Sequence, residues 1–239
     1  MSLVEERLAP AASYLDARRV MTEARRAMID SQLRTSGVNA PAVLNAFNAV
    51  ARETFVSANR RAVAYADRAI PLDGGPLDGS RDDARVLAPA VTHGQMLEAA
   101  APRADDRALL IGGGTGYLAA LLVQLVGTLT VVEDNAVLLA GTPDRRGNWH
   151  EGPLTAGWAA GAPYSLIVID GAIEQLPQAI ANQLAPDGRV ITGLIERGVA
   201  RLAEGRQSGR AGQGVAFAVL GEADFAPLAA FASEKKWSF

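Results

Sequence analysis

The sequence contains no cysteine. That excludes disulfides, thiolate nucleophiles and cysteine-ligated zinc, and it fits a reducing compartment. No apolar run approaches the ~20 residues needed to cross a bilayer, and the first twenty residues lack a signal-peptide core, so a soluble, cytoplasmic protein is expected. There is no basic excess: 23 Lys and Arg face 26 Asp and Glu, a net charge of −3, with a pI near 5.5. This balance argues against a dedicated nucleic-acid binder, which carries a basic face. The short pairs Arg18-Arg19, Arg25-Arg26 and Arg60-Arg61 have acids nearby and fit solvated helix faces. Histidine is scarce too. His93 and His150 have no partner at helical spacing, so no metal site is expected. No G-x-S-x-G elbow exists to support a serine-hydrolase triad, and no internal repeat is found.

What is there is ordinary globular composition. The 239 residues are 49% hydrophobic and 21% charged, enough for one sizeable domain with an appendage and a core that needs no staples. Residues 1–22 have the character of a loosely attached, disordered leader, natural or artificial. Residues 23–84 form an N-terminal helical extension and loop: an amphipathic helix from Glu23 to about Leu33, a turn at residues 36–39, and a helix opened by Pro41 with Val43, Leu44, Phe47 and Val50 on one face. Arg60 to Arg68 suits a short third helix, and PLDGGPLDGSRDDA (71–84) a loop.

Residues 85–239 change rhythm. After a helix from Pro89 to about Ala101, strands are expected at 107–111, 128–132, 164–169 and 189–192. Helices are expected at 117–126 and 175–184, the second ended by Pro186-Asp187-Gly188. VAFAVL (215–220) suits a late antiparallel strand. This alternation implies an α/β fold with a mostly parallel, doubly wound sheet.

The first strand ends in Gly112-Gly113-Gly114-Thr115-Gly116. Glycines here permit positive φ and a close backbone approach to a ligand, although a turn serving packing alone would use them too. A dinucleotide fingerprint needs a glycine at the sixth place, which is Tyr117, so a nicotinamide-linked oxidoreductase is only weakly supported. The spacing is G-x-G-x-G, common among S-adenosylmethionine (SAM) methyltransferases. Glu133 closes the next strand about twenty residues on, where an acid accepts from ribose hydroxyls.

The chain resembles the protein-L-isoaspartate (D-aspartate) O-methyltransferases. The resemblance runs through RRAMIDSQLRTSGVNAPAVLNAFNAVARETFV, Tyr65 and Pro71, LLIGGGTGYLAALL, VVE, GPLTAGWAAGAPYSLIVIDGA and NQLAPDGRVI. It implies a Rossmann-like SAM-dependent methyltransferase fold and SAM as cofactor, with Gly112, Gly114, Thr115, Gly116, Glu133 and Glu151 as cofactor-binding residues. The implied partner is a carboxylate on damaged protein or peptide, which SAM would methylate. The family's acid two places before the first glycine is Leu110 here, the serine near its acceptor site is Leu87, and its GDG is Gly152-Pro153-Leu154. Glu151 stands one or two places off as a substitute for that last acid. Thr92 and Ser80 are the hydroxyls nearest the missing serine, and His93 is a donor candidate beside the acceptor site. Asp170 is expected either to cap the next helix or to touch a ligand, and Trp149 and Trp158 to serve as core or pocket wall. The eighteen or so residues between Glu133 and Gly152 leave room only for a stunted crossover helix. No catalytic residue is assigned. Because the departures fall on one face, a degenerate, non-catalytic binding module is the alternative.

Overall fold

The computed structural model describes the backbone of residues 3–73, 75, 85–208 and 214–233, with side chains from residue 16 onward. Ser80 and most of the 71–84 loop lie outside the described residues. In chain order come α1 (Leu3–Met28), α2 (Pro41–Ala49), β1 (Ile70–Pro71), β2 (Val86–Leu87), α3 (Ala90–Ala100), β3 (Arg107–Ile111), α4 (Tyr117–Leu122) and β4 (Thr128–Glu133). There follow α5 (Ala136–Gly141), β5 (Asn148–Glu151), β6 (Tyr164–Ile173), α6 (Gln178–Ala181), β7 (Leu184–Glu196), β8 (Val199–Gln207) and β9 (Val215–Glu222).

Seven strands form one sheet in the order β5-β4-β3-β6-β7-β8-β9. The first five are mutually parallel, β8 runs antiparallel to β7, and β9 antiparallel to β8. From β3 the chain winds outward through β4 to β5, then returns to β6 on the other side of β3. The crevice between the carboxyl ends of β3 and β6 is therefore the topological switch point, where open α/β sheets bind ligands.

The strand period of two divides the core into two layers. Ala108, Leu110, Val131 and Val168 face the layer built by α2, α3, α4 and the segment that follows α1. Leu109, Ile111, Val132, Ile167 and Ile169 face the opposite layer, with Leu154, Ile180, Leu228 and Phe231. Burial on both faces explains why β3 is apolar at every position after Arg107.

Several elements differ from the pattern-based expectation. The backbone of the segment taken as a loose leader is helical from Leu3, continuous with α1, and Asp16–Val20 are exposed. The helix expected over Arg60–Arg68 is a 3-10 run, Ala58–Val63. The helix expected from Gln175 spans only Gln178–Ala181, because Pro177 bars α conformation at the residue before it and becomes the N-cap. Pro186-Asp187-Gly188 does not stop a helix but lies at a register irregularity inside β7. Strand β8 was not anticipated. The crossover helix α5 is short, six residues, with Asn135 accepting from the backbone N–H groups of Val137 and Leu138.

Polar groups fasten the helical extension to the sheet layer. The Glu98 carboxylate on α3 accepts from the backbone N–H groups of Asn39 and Ala40 at 3.1 and 3.0 Å, at the start of α2. Arg52 is wholly buried and donates to the carbonyls of Ala64 and Ala88, 2.7 and 2.6 Å away. Under the sheet, Arg189 donates to Asp106 at 2.7 Å and to the carbonyls of Ala100 and Ala101.

Candidate cofactor site

The turn after β3 carries φ values of +84° at Gly112, +54° at Gly114 and +97° at Gly116, so the three glycines of the G-x-G-x-G spacing are required by backbone conformation. Gly113 serves packing instead. A Cβ there would lie 2.5 Å from the Trp149 ring and 2.6 Å from Val131. Trp149, on β5, thus wedges the underside of the turn, and its indole N–H donates to the carbonyl of Arg146. The Thr115 hydroxyl donates to the Phe55 carbonyl at 2.7 Å, tying the turn to the helical extension.

Glu133 ends β4 and is fully buried. Its Oε2 accepts from the Gly114 N–H at 2.6 Å, and its Oε1 from the N–H groups of Asp134 and Asn135 at 3.1 and 3.0 Å. The sequence-predicted turn and acid are therefore brought together. The structure adds Arg85, whose two terminal nitrogens each lie 2.9 Å from a Glu133 oxygen. One of them also reaches Asp134 at 3.2 Å. Five donors on a carboxylate with about four lone-pair sites leave no room for ribose hydroxyls. Arg85 escaped the sequence reading because it stands in a Pro/Gly/Asp-rich stretch with no periodicity. The available signal was indirect, since a buried Glu133 requires a cation.

Glu151 ends β5 beside Glu133, in parallel register with it, and is exposed to solvent. His150 stacks on Trp158 with centroids 3.7 Å apart. Leu110 lies in the fully buried core, on the sheet face under the helical layer. Leu87 is buried in β2, opposite Ile70, and Thr92 donates to the carbonyl of Asp224, so neither supplies a hydroxyl at the crevice.

Asp170 neither caps a helix nor stands alone. It lies within β6, at the irregularity between Val168 and Ala172 in the pairing with β7. Its Oδ1 accepts from Nε2 of the wholly buried His93, 2.9 Å away. His93 Nδ1 has no protein partner. Tyr117, close by with ring centroids 5.8 Å apart, has its hydroxyl pushed up to about 12, chiefly by burial, so it stays protonated. Among the described residues, no group of three or more histidine, aspartate or glutamate side chains is arranged to hold a metal.

A positive-φ glycine turn at the switch point and an acid at the end of the adjoining strand fit a nucleoside-bearing ligand, provided that Arg85 exchanges off Glu133. This fold and site define a Rossmann-like α/β protein of the SAM-dependent methyltransferase class. Residues 23–220 match the model of the family described as protein-L-isoaspartate(D-aspartate) O-methyltransferase. The chain belongs to that family. A protein-L-isoaspartate O-methyltransferase of Pelobacter propionicus is 34% identical over 70% of this chain and 73% of its own length. One from Geotalea uraniireducens is 34% identical over 72% and 77%. A solved protein-L-isoaspartate O-methyltransferase superposes with a TM-score of 0.69 at 20% identity, covering 85% of this chain and 65% of the other. A Plasmodium falciparum structure of that description, in complex with S-adenosyl-L-homocysteine, gives 0.67 at 15% identity, covering 85% and 97%. No helix among the described residues is long and apolar enough to cross a membrane.

Proposed function

We propose that the protein is a SAM-dependent O-methyltransferase that methylates a carboxylate of isoaspartyl or D-aspartyl type on damaged protein or peptide, and that it acts in the cytoplasm. The family match across residues 23–220 carries this reading, and the conformation of the turn supports it. SAM, when bound, supplies a methyl carbon already electrophilic on its sulfonium.

The chain's own task is placement. Gly112, Gly114 and Gly116 give the turn the positive-φ path that brings its backbone to the ligand edge of the sheet, and Thr115 fixes the turn against Phe55. Glu133 offers the acid for ribose hydroxyls once Arg85 has moved, and Glu151 stands at the neighbouring strand end toward the base. No general base is required, because a carboxylate acceptor is ionised at neutral pH. Leu72, in the turn after β1, packs against the glycine turn, 3.2 Å from a Cβ built on Gly114, which helps to exclude water.

Incubation with methyl-labelled SAM and an isoaspartyl peptide, beside the matching aspartyl peptide, tests the reading. Base-labile label on the isoaspartyl peptide alone is expected. No transfer at enzyme concentrations equal to the peptide would overturn it.

A further inference from the structure

We propose that Arg85 and Asp170 together form a receptor for the amino-acid end of the cofactor, and that Arg85 reaches it by leaving Glu133. This rests on the cofactor reading above. It assigns a ligand contact to two residues in place of an acid at Leu110, which the core has absorbed.

The argument begins with topology. Gly112 follows β3 and Asp170 lies in β6, the two strands that flank the switch point, with Ile111 and Ile169 in register. A Cβ built on Gly112 would lie 3.9 Å from the Asp170 Cβ and 3.3 Å from Nη2 of Arg85. An acid and a guanidinium therefore stand beside the same glycine. Both line one cleft with Val86, Ala88 and Phe225, which in this arrangement has room for about one water, roughly 10 Å³.

The ligand's chemistry matches the pair. An α-amino acid end is a zwitterion, and the Asp170 carboxylate complements its ammonium as the Arg85 guanidinium complements its carboxylate, the latter in two-pronged fashion. His93 acts as a positioning residue: its bond to Oδ1 fixes the Asp170 side chain, leaving Oδ2 for a ligand. The β6 irregularity aims the residue at the crevice, a common use of such kinks beside binding sites.

The exchange conserves its interactions. Glu133 gives up two guanidinium N–H donors and takes two ribose O–H donors, while Arg85 trades one carboxylate for another. With Arg85 on Glu133, both the ribose seat and the cleft are closed. One side-chain movement opens the two together.

Titration calorimetry with S-adenosylhomocysteine and with 5′-methylthioadenosine, which shares the nucleoside but lacks the amino-acid end, tests this. Wild type should bind the homocysteine ligand about tenfold or more tightly than the truncated one, the size expected for charge-assisted hydrogen bonds. Asp170→Asn should cut affinity for S-adenosylhomocysteine about tenfold and leave methylthioadenosine within about twofold. Arg85→Gln should likewise weaken S-adenosylhomocysteine relative to methylthioadenosine, and should raise absolute affinity for methylthioadenosine because Glu133 is released. Either variant suffices alone if the other fails to fold. Equal losses for both ligands, or no loss for either, would overturn the receptor. Wild type that binds both ligands equally sinks the receptor and leaves the cofactor reading standing; wild type that binds neither at millimolar concentration sinks both.

Discussion

The Arg85 guanidinium meets Glu133 with both terminal nitrogens, each 2.9 Å from a carboxylate oxygen that is closed to solvent. Replacing Glu133 by glutamine keeps the shape and removes the charge. Arg85 is then left with Asp134 alone, and the N–H groups of Gly114, Asp134 and Asn135 face a weaker acceptor. A loss of about 1–3 kcal/mol is expected in urea unfolding. The thermal stabilisation by S-adenosylhomocysteine should also fall to a small fraction of the wild-type shift at equal ligand concentration. Unchanged ligand stabilisation would show that the acid is not part of the seat.

Gly113 and Trp149 make a second, purely steric prediction. Gly113→Ala places a methyl group 2.5 Å from the indole and 2.6 Å from Val131. Overpacking of this kind costs about 1–3 kcal/mol. Shrinking the wedge with Trp149→Leu in the same chain should recover part of the loss, read as a non-additive double-mutant cycle in urea.

Asp106 sets the response to acid. Its burial opposes the charged form, but hydrogen bonds from Arg189, from Ser165 and from the Arg103 backbone outweigh that and bring the carboxyl from 3.8 to about 2. A group depressed in the folded state contributes stability that is complete above its unfolded value and is lost as pH falls from about 4 toward 2. The contribution is about 2 kcal/mol. Asp106→Asn should flatten this part of the stability curve, and should destabilise the protein at pH 7 because Arg189 then lacks its counter-charge. Equilibrium unfolding between pH 2 and 7 measures both.

We propose that residues 1–22, although they share the continuous helix α1 with the helical extension at 23–84, contribute little to holding that extension on the α/β domain at 85–239. Side chains 16–20 are exposed, whereas Arg25 donates to the Tyr65 hydroxyl at 3.0 Å and the Asn48 carbonyl at 2.8 Å. A variant starting at Met21 should therefore lose no more than about 0.5 kcal/mol, a shift of about 2 °C or less in melting temperature. Truncation past Arg25 should cost measurably more.

The parts of the fold legible in the sequence are those where a local pattern and the tertiary context agree. RALLI is a strand because it is buried on both faces, and its bounds are those expected. TLTVVE and the glycines follow the same logic, since positive φ leaves little choice of residue. VARLAEGRQ in β8 was illegible: its charges and Gly205 mask the alternation, and it becomes a strand by pairing along β7. At the site, the glycines and Glu133 could be located by spacing and Asp170 by its place at the end of a strand, whereas Arg85 and the pairing of Asp170 with His93 depend on segments 48 or more residues apart. Only the winding of the sheet brings β6 beside β3, and no spacing rule carries that information.

The wedge of Trp149 under Gly113 also bears on kinetics. A glycine-rich loop ordinarily loses conformational entropy when a ligand orders it, and that cost is subtracted from affinity. Here the indole, the Thr142 side chain under Gly116 and the Thr115 hydroxyl bond have already ordered the loop during folding. The conformational event left for ligand entry is the opening of an ion pair. Association should therefore proceed without a slow loop-ordering phase, its only internal step the parting of one charged pair.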